Sequence, residues 1–115
     1  MRLLNLTPHE LVLVGENSDP IVRIPQSGQV ARVATRATKV GEVEVDGYIV
    51  PVVSTEFGEI DGLPEATDGT IYIVSIVALA ALKGTRQDVV APDTGPQSAI
   101  RNADGTIKGV KRFTR

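Results

Sequence analysis

The sequence predicts an α+β fold that is mostly antiparallel β-sheet, with one short buried helix at about residues 76–83. Apolar runs of four to six residues recur along the chain, rich in Val and Ile and separated by Gly, Pro, Asp or Asn. This pattern is typical of short strands. Only one segment has helical character. The 115 residues contain no linker and no internal repeat, so residues 1–115 are predicted to form a single domain.

Ten strands are expected from these apolar runs. They are Leu3–Leu6, Leu11–Val14, Ile21–Ile24, Gln29–Val33, Val43–Val45, Tyr48–Val53, Thr70–Val74, Asp88–Val90, Ala99–Arg101 and Thr106–Phe113. Asp46-Gly47 predicts a two-residue hairpin turn, because both turn positions need a positive φ. The loop 102–105, which ends in Gly, predicts a second hairpin.

The predicted helix begins after Ser75, whose hydroxyl can accept a hydrogen bond from a free backbone N–H. Residues 76–82 are apolar on nearly all sides, which predicts that the helix is largely buried. Lys83 lies at the negative end of the helix dipole, and Gly84 is a suitable terminator. With its flanking strands the helix forms a predicted strand–helix–strand unit.

Composition excludes several classes of function. The absence of cysteine rules out disulfides and thiolate metal sites. A net charge of −2 argues against a general nucleic-acid binder. The longest apolar stretch, Ile71–Leu82, is too short to cross a bilayer, and the N-terminus lacks the apolar region of a signal peptide. A cytoplasmic protein without a membrane segment, metal or cofactor is therefore expected.

The charges are unevenly distributed. Residues 40–82 contain no Lys or Arg but eight acids, namely Glu42, Glu44, Asp46, Glu56, Glu59, Asp61, Glu65 and Asp68. The segments on either side are net basic. Such asymmetry can steer an anionic ligand or promote association between copies, unless folding interleaves the segments and cancels the field.

Catalytic groups are few. His9 is the only histidine in the sequence, and no triad is recognisable around it. Asp93-Thr94-Gly95 matches the Asp-Thr/Ser-Gly triplet of dimeric aspartic proteases, whose two carboxylates share one proton. The flanking Pro92 and Pro96 depart from that pattern. The triplet therefore predicts a rigid turn.

Three segments are candidate ligand sites. In residues 84–96, Arg86 is suited to bind phosphate, and Asp88 or Asp93 can hold Arg86 or accept from a base edge or ribose hydroxyl. Thr94 lies in the adjoining turn. An alternative is a surface ion pair beside a turn.

The second and third candidates lie earlier in the chain. Pro8 ends the first strand and presents Thr7 and His9, which can contact phosphate or ribose; alternatively both are capping or solvent-facing residues. Phe57 lies in a Gly-rich loop and can stack on a base, or it closes the end of the core.

Taken together, the motifs resemble a group of small phage and prophage proteins. The resemblance covers most of the chain and is weakest at residues 15–50. It is carried by Asn5-Leu6-Thr7-Pro8-His9, Phe57-Gly58 with Gly62-Leu63-Pro64, Gly69-Thr70-Ile71-Tyr72-Ile73-Val74-Ser75 and residues 86–96. Phages also encode small oligomeric sponge proteins that sequester nucleotide immune signals, the anti-CBASS and anti-Thoeris proteins. The resemblance implies binding of a small anionic ligand such as a cyclic nucleotide, without turnover, by a homo-oligomer in the host cytoplasm.

Two other classes of function remain open. One is a phage accessory or structural module that binds other proteins through its charged faces. The other is a small hydrolase that uses His9 or Asp93.

Overall fold

The computed structural model describes residues 1–17 and 19–115. Strands dominate this part of the chain, with a single short helix, so the predicted mostly-β composition is confirmed. In chain order the elements are β1 (Arg2–Asn5), β2 (Leu11–Val14), β3 (Pro20–Ile24), β4 (Arg32–Val45), β5 (Tyr48–Asp61), β6 (Thr70–Ile73), α1 (Ile76–Leu82), β7 (Val89–Pro92), β8 (Ala99–Arg101), β9 (Ile107–Val110) and β10 (Phe113–Thr114).

The strands form two four-stranded sheets and one two-stranded ribbon. The first sheet has the order β1-β6-β7-β10 and the second β3-β2-β9-β8, whereas β4 and β5 pair with each other. The sheets are mixed and not purely antiparallel: the antiparallel pairs β2–β3, β4–β5, β8–β9 and β7–β10 occur beside parallel ones. The pairs β1–β6, β6–β7 and β2–β9 are parallel. The helical crossover from β6 returns the chain in the same direction, which makes β7 parallel to β6.

The helix starts as predicted but is less buried than expected. The Ser75 hydroxyl accepts a hydrogen bond from the Ala78 N–H at 3.2 Å, and α1 ends at Leu82, followed by Lys83 in the left-handed conformation with φ 51°. Ala78 is buried, but Ile76 and Val77 are 44% and 48% exposed. The first turn of the helix therefore presents apolar side chains that the chain itself does not cover.

The main core lies between α1, the first sheet and the ends of β4 and β5 that contain Val33 and Ile60, called the near end of the ribbon. It is a buried cluster of Leu6, Ala31, Tyr72, Val74, Ala78 and Val89. Val33 of β4 and Ile60 of β5 pack against this cluster. Each fully buried aliphatic side chain of this kind stabilises the fold by about 1.5–3 kcal/mol. The core thus fixes the near end of the β4–β5 ribbon relative to the helix.

The β4–β5 ribbon, here called the arm, is longer than the sequence predicts. The Asp46-Gly47 turn is confirmed, with φ 51° and 83°, but the strands continue to Arg32 and Asp61. The register shifts between Val33 and Thr35 and between Lys39 and Gly41. The side chains of residues 34–42 and 54–59 lack the apolar alternation that identifies a half-buried strand, because they are exposed on both faces.

The arm makes the molecule elongated. The principal extents are 53 × 38 × 23 Å and the radius of gyration is 17.2 Å. A compact domain of this length has a radius of gyration of about 13 Å. Most of the arm therefore projects away from the two four-stranded sheets, which together with α1 are called the body.

The second predicted hairpin is also found. Strands β8 and β9 are antiparallel, and in their loop the Asn102 N–H donates to the Thr106 carbonyl at 2.8 Å. The predicted strand 106–113 ends early, because the chain leaves β9 and starts β10 in the other sheet. Phe113 of β10 is paired with Pro92. This crossing brings Arg112 next to the turn that follows β7.

Candidate functional site

Two grooves lie at opposite ends of α1. The arm–helix groove has a volume of about 940 Å³ and lies between residues 55–60 of the arm, Leu63, and residues 81–86 at the end of the helix. The loop groove has a volume of about 500 Å³ and lies between residues 7–11, the start of the helix and the turn after β7. Both volumes fall in the range of small-ligand pockets.

The arm–helix groove combines an aromatic ring with cationic side chains. Phe57 of β5 is 48% exposed and lines this groove opposite Leu82, Lys83 and Arg86. In the described part of the chain, Lys83 makes no side-chain hydrogen bond or ion pair. Lys83 is therefore available to an anionic ligand.

Arg86 is held in place by two protein partners. Its Nε and Nη2 atoms donate to the two carboxylate oxygens of Asp88, each at 2.8 Å. Nη2 also donates to the Pro64 carbonyl at 3.0 Å. These hydrogen bonds lower the pKa of Asp88 and raise that of Arg86. The ion pair joins the loop between α1 and β7 to the segment that follows the arm. Nη1 makes no hydrogen bond in the described part of the chain and can therefore donate to a ligand.

Acidic side chains also line the arm–helix groove. Glu56 and Glu59 contribute to the same lining as Phe57. Carboxylates accept hydrogen bonds from hydroxyl and amine groups but repel phosphate. The groove therefore has separate positions for a flat ring, an anion and a hydrogen-bond donor.

In the loop between β1 and β2, Asn5 organises the backbone around Thr7 and His9. The Asn5 side chain is 1% exposed, and its Nδ2 donates to the carbonyls of His9 and Ile24 at 2.9 and 3.1 Å. Its Oδ1 accepts from the Thr7 N–H at 3.0 Å and from the Thr7 hydroxyl at 2.7 Å. The Thr7 hydroxyl is thus committed to the loop, whereas the His9 ring is exposed at the rim of the loop groove.

Asp93 closes the turn that follows β7. Its Oδ1 accepts from the Gly95 N–H at 2.9 Å, and its Oδ2 accepts from Arg112 Nε. Both contacts lower the pKa of Asp93, the Arg112 contact more strongly. A carboxylate held ionised in this way fixes a turn, as the sequence predicts, and does not resemble the proton-sharing acids of an aspartic protease dyad.

The candidate residues fall into two groups in space. Phe57 and Arg86 line the arm–helix groove. Thr7, His9 and Thr94 line the loop groove. Asp88 and Asp93 line neither groove, and each pairs with an arginine instead. The three candidate loops therefore do not meet at one site, although each groove brings two of them together.

Lys83 is the groove residue that the sequence interpretation did not assign to a ligand. Its position after an apolar helix suggested only an interaction with the helix dipole. Its proximity to Phe57 depends on how the arm packs against the helix, which no local pattern encodes. Glu56 and Glu59 were assigned only to an acidic segment for the same reason.

No group of three or more potential metal-ligating side chains is found in residues 1–17 and 19–115. No helix in these ranges is long and apolar enough to span a membrane. Comparison of the chain with protein-family models, with curated proteins and with solved structures gave no match.

Proposed function

We propose that this protein binds a nucleotide-type ligand in the arm–helix groove and holds it without turnover. The observation that carries the proposal is the arrangement of Phe57, Lys83 and Arg86 around one cavity of about 940 Å³. An exposed aromatic ring beside cationic side chains is suited to a ligand that has both a flat heterocycle and a negative charge. A nucleotide has both.

Each group of such a ligand has a partner in the groove. Phe57 stacks on the base, and base–aromatic stacking contributes about 1–3 kcal/mol. Lys83 and Arg86 Nη1 contact phosphate oxygens. Glu56 or Glu59 accepts a hydrogen bond from a ribose hydroxyl or an exocyclic amine. The volume is large enough for two linked nucleotides, which favours cyclic dinucleotides within this class.

Sequestration fits the chemistry of the lining better than hydrolysis does. The residues lining this groove include no histidine and no serine, and His9 lies at the other groove. Glu56 and Glu59 are titratable, but in residues 1–17 and 19–115 neither is hydrogen-bonded to a nucleophilic side chain, which is the arrangement that activates a nucleophile. Together with the resemblance to small phage proteins, this supports a sponge that sequesters a nucleotide immune signal inside the infected cell.

The test is isothermal titration calorimetry with cyclic di-AMP, cyclic tri-AMP and cyclic ADP-ribose, followed by chromatography of the recovered ligand. We expect binding of one of these compounds and its recovery intact. Lys83→Glu should weaken that binding by about 10-fold or more, because it replaces a charge-assisted contact with a repulsive one. Arg2→Glu makes the same charge change at an exposed position of β1, outside both grooves, and should have little effect.

Three results would contradict the proposal. Absence of binding to every probe would exclude the ligand class tested. Recovery of a cleaved nucleotide would indicate a hydrolase. Equal losses for Lys83→Glu and Arg2→Glu would show that the attraction is a general effect of net charge and does not arise in the groove.

The projecting arm favours a second candidate function, that of a structural or accessory module that assembles with other proteins. A module of this kind needs a large contact surface but no small-molecule pocket. It predicts no heat of binding with any nucleotide and a stable complex in which the arm is covered.

A further inference from the structure

The far half of the arm has one apolar face. Cross-strand partners in an antiparallel ribbon project on the same side, and the register pairs Val45 with Tyr48, Val43 with Val50 and Gly41 with Val52. This set, here called the apolar face, is Val43, Val45, Tyr48, Val50 and Val52. Its side chains are between 39% and 75% exposed. The intervening pairs, such as Glu44 with Ile49, project to the opposite side.

A ribbon of this kind is not expected to be stable alone in water. An isolated two-stranded hairpin is marginally stable at best and needs another layer against its apolar face. The body provides no such layer, because the arm is exposed from Ala34 to Glu59. In β4, valine alternates with Glu42 and Glu44, which is the pattern of a strand whose apolar side is covered.

The total exposed surface indicates how much of it a binding partner could bury. A compact monomer of this mass exposes about 6,000 Å², whereas this chain exposes 7870 Å². The excess is about 1,800 Å², and a standard interface buries about 800 Å² on each partner. The uncovered surface is therefore large enough for an obligate subunit interface.

The charges favour a second copy of the same chain as the partner. Residues 40–61 contain six acids and no Lys or Arg, whereas the start of the arm, residues 32–39, contains three bases and no acid, so the arm has a net charge of −3 and the rest of the chain +1. The C-terminal segment 101–115 alone contains five bases and one acid. The acidic far half of the arm is therefore attracted to the basic C-terminal segment of another copy.

The body also has apolar surface suited to receive the arm. Ile76 and Ile107 line the loop groove together, and both are exposed. This groove lies between the start of α1 and β9, next to the basic C-terminal segment. One chain thus carries both an apolar, acidic arm and an apolar groove with basic neighbours.

We infer that the arm is a subunit interface: its apolar face packs on the body of a second copy, and in a closed symmetric dimer the exchange is reciprocal. This inference is independent of the nucleotide proposal. The apolar face lies in residues 43–52 of the arm, whereas residues 55–60 line the arm–helix groove.

The first test is sedimentation equilibrium of the full chain and two matched double variants. Val43→Lys/Val50→Glu converts one pair of the apolar face into a Lys–Glu pair. Glu44→Lys/Ile49→Glu builds the same Lys–Glu pair one residue along, on the opposite face. Each variant introduces one favourable cross-strand charge pair, which supports the hairpin. The first leaves the net charge unchanged and the second raises it by one unit.

We expect the wild type to be a dimer or larger at micromolar concentration. The apolar-face variant should raise the dissociation constant of self-association by about 100-fold or more, since two buried valines are lost on each subunit. The opposite-face variant should remain associated. A wild type that stays monomeric at high micromolar concentration, or two variants that associate equally, would overturn the inference.

A second test covers the case in which the apolar-face variant does not fold. Because the chain has no cysteine, single cysteines report local cover through their rate of maleimide labelling. Val50→Cys should react at least 10-fold more slowly than Ala103→Cys in the exposed β8–β9 loop. The two rates should converge on dilution below the dissociation constant. Equal rates at high concentration would show that the arm is uncovered and would refute the interface.

Discussion

The Arg86 guanidinium and the Asp88 carboxylate form a two-point ion pair, with both nitrogen–oxygen distances at 2.8 Å. The side chains are 24% and 19% exposed, so solvent screens the pair only partly. Since Arg86 also donates to the Pro64 carbonyl, the pair connects the end of the helix to the segment after the arm. It shapes one wall of the arm–helix groove.

The pair predicts acid sensitivity. The Arg86 hydrogen bonds lower the pKa of Asp88 in the folded state, below the ordinary aspartate value of about 3.9. The contribution of the pair to stability is therefore fully present above about pH 4 and is lost as the pH falls through the lowered pKa. Asp88→Asn should reduce the free energy of unfolding by about 1–3 kcal/mol at pH 7.

Urea denaturation at a series of pH values checks this prediction. The difference between wild type and Asp88→Asn should shrink as the pH falls below about 4. Asp68→Asn, which removes an exposed carboxylate, is the matched control and should differ little from wild type at any pH. A difference for Asp88→Asn that is independent of pH would mean that the ion pair does not stabilise the fold.

Asn5 should be among the most sensitive polar residues in the body. Its buried side chain makes four hydrogen bonds, and Asn5→Leu would leave the Ile24 carbonyl without its side-chain donor and the Thr7 N–H without its acceptor, while the His9 carbonyl would keep only the Thr7 hydroxyl. Each unsatisfied buried group costs about 1–3 kcal/mol, so a loss of about 3 kcal/mol or more is expected in chemical denaturation. Thr7→Val removes one partner of the same network, and its effect should be clearly smaller. Equal losses in the free energy of unfolding for the two variants would mean that most of the network's stabilisation depends on Thr7.

Gly62 allows the chain to leave the arm without a steric clash. Its φ is +85°, and a Cβ at this position would lie 2.5 Å from the Val30 carbonyl oxygen. Because that oxygen belongs to the backbone, Gly62→Ala should force the end of β5 away from the body and lower the thermal midpoint by several degrees or more. Gly28 also has a positive φ, of +92°, but has open space around it. Gly28→Ala is therefore the control for left-handed strain alone, and the larger loss should occur at Gly62.

The features that could be predicted from the sequence are the ones that local chemistry determines. The Asp46-Gly47 turn and the Ser75 cap each depend on residues within three positions of one another, and both are found. The parallel pairing of β1 with β6 brings together segments distant in sequence, and no turn signal marks it. The full length of the arm was not predicted, because polar residues such as Thr38 and Ser54 pair across the two strands but are exposed. They therefore lack the apolar pattern by which a strand is recognised in a sequence.

The same distinction between local and long-range contacts determines which parts of the candidate site could be predicted. Arg86 and Asp88 are two residues apart, so a local interaction between them could be anticipated as an alternative to ligand binding. The presence of Lys83 and Phe57 in one groove could not be anticipated, because it depends on the arm packing against the end of the helix. Function at this groove is a property of tertiary structure, whereas the rigid turn at Asp93 is a property of a short segment.

Phe57 provides a direct way to separate a binding role from a structural one. Phe57 is 48% exposed, so Phe57→Ala removes only about half of the burial of a core phenylalanine and should change the free energy of unfolding by about 1 kcal/mol. In the same variant, nucleotide affinity should fall by about 5-fold or more, because a stacking contact is lost. Ile60→Ala is the structural comparison, since Ile60 packs against the core, and it should destabilise the fold by about 2 kcal/mol or more. If Phe57→Ala destabilises the protein as much as Ile60→Ala does, the main role of the ring is to close the core. Phe57 would then no longer support a ligand site in the groove.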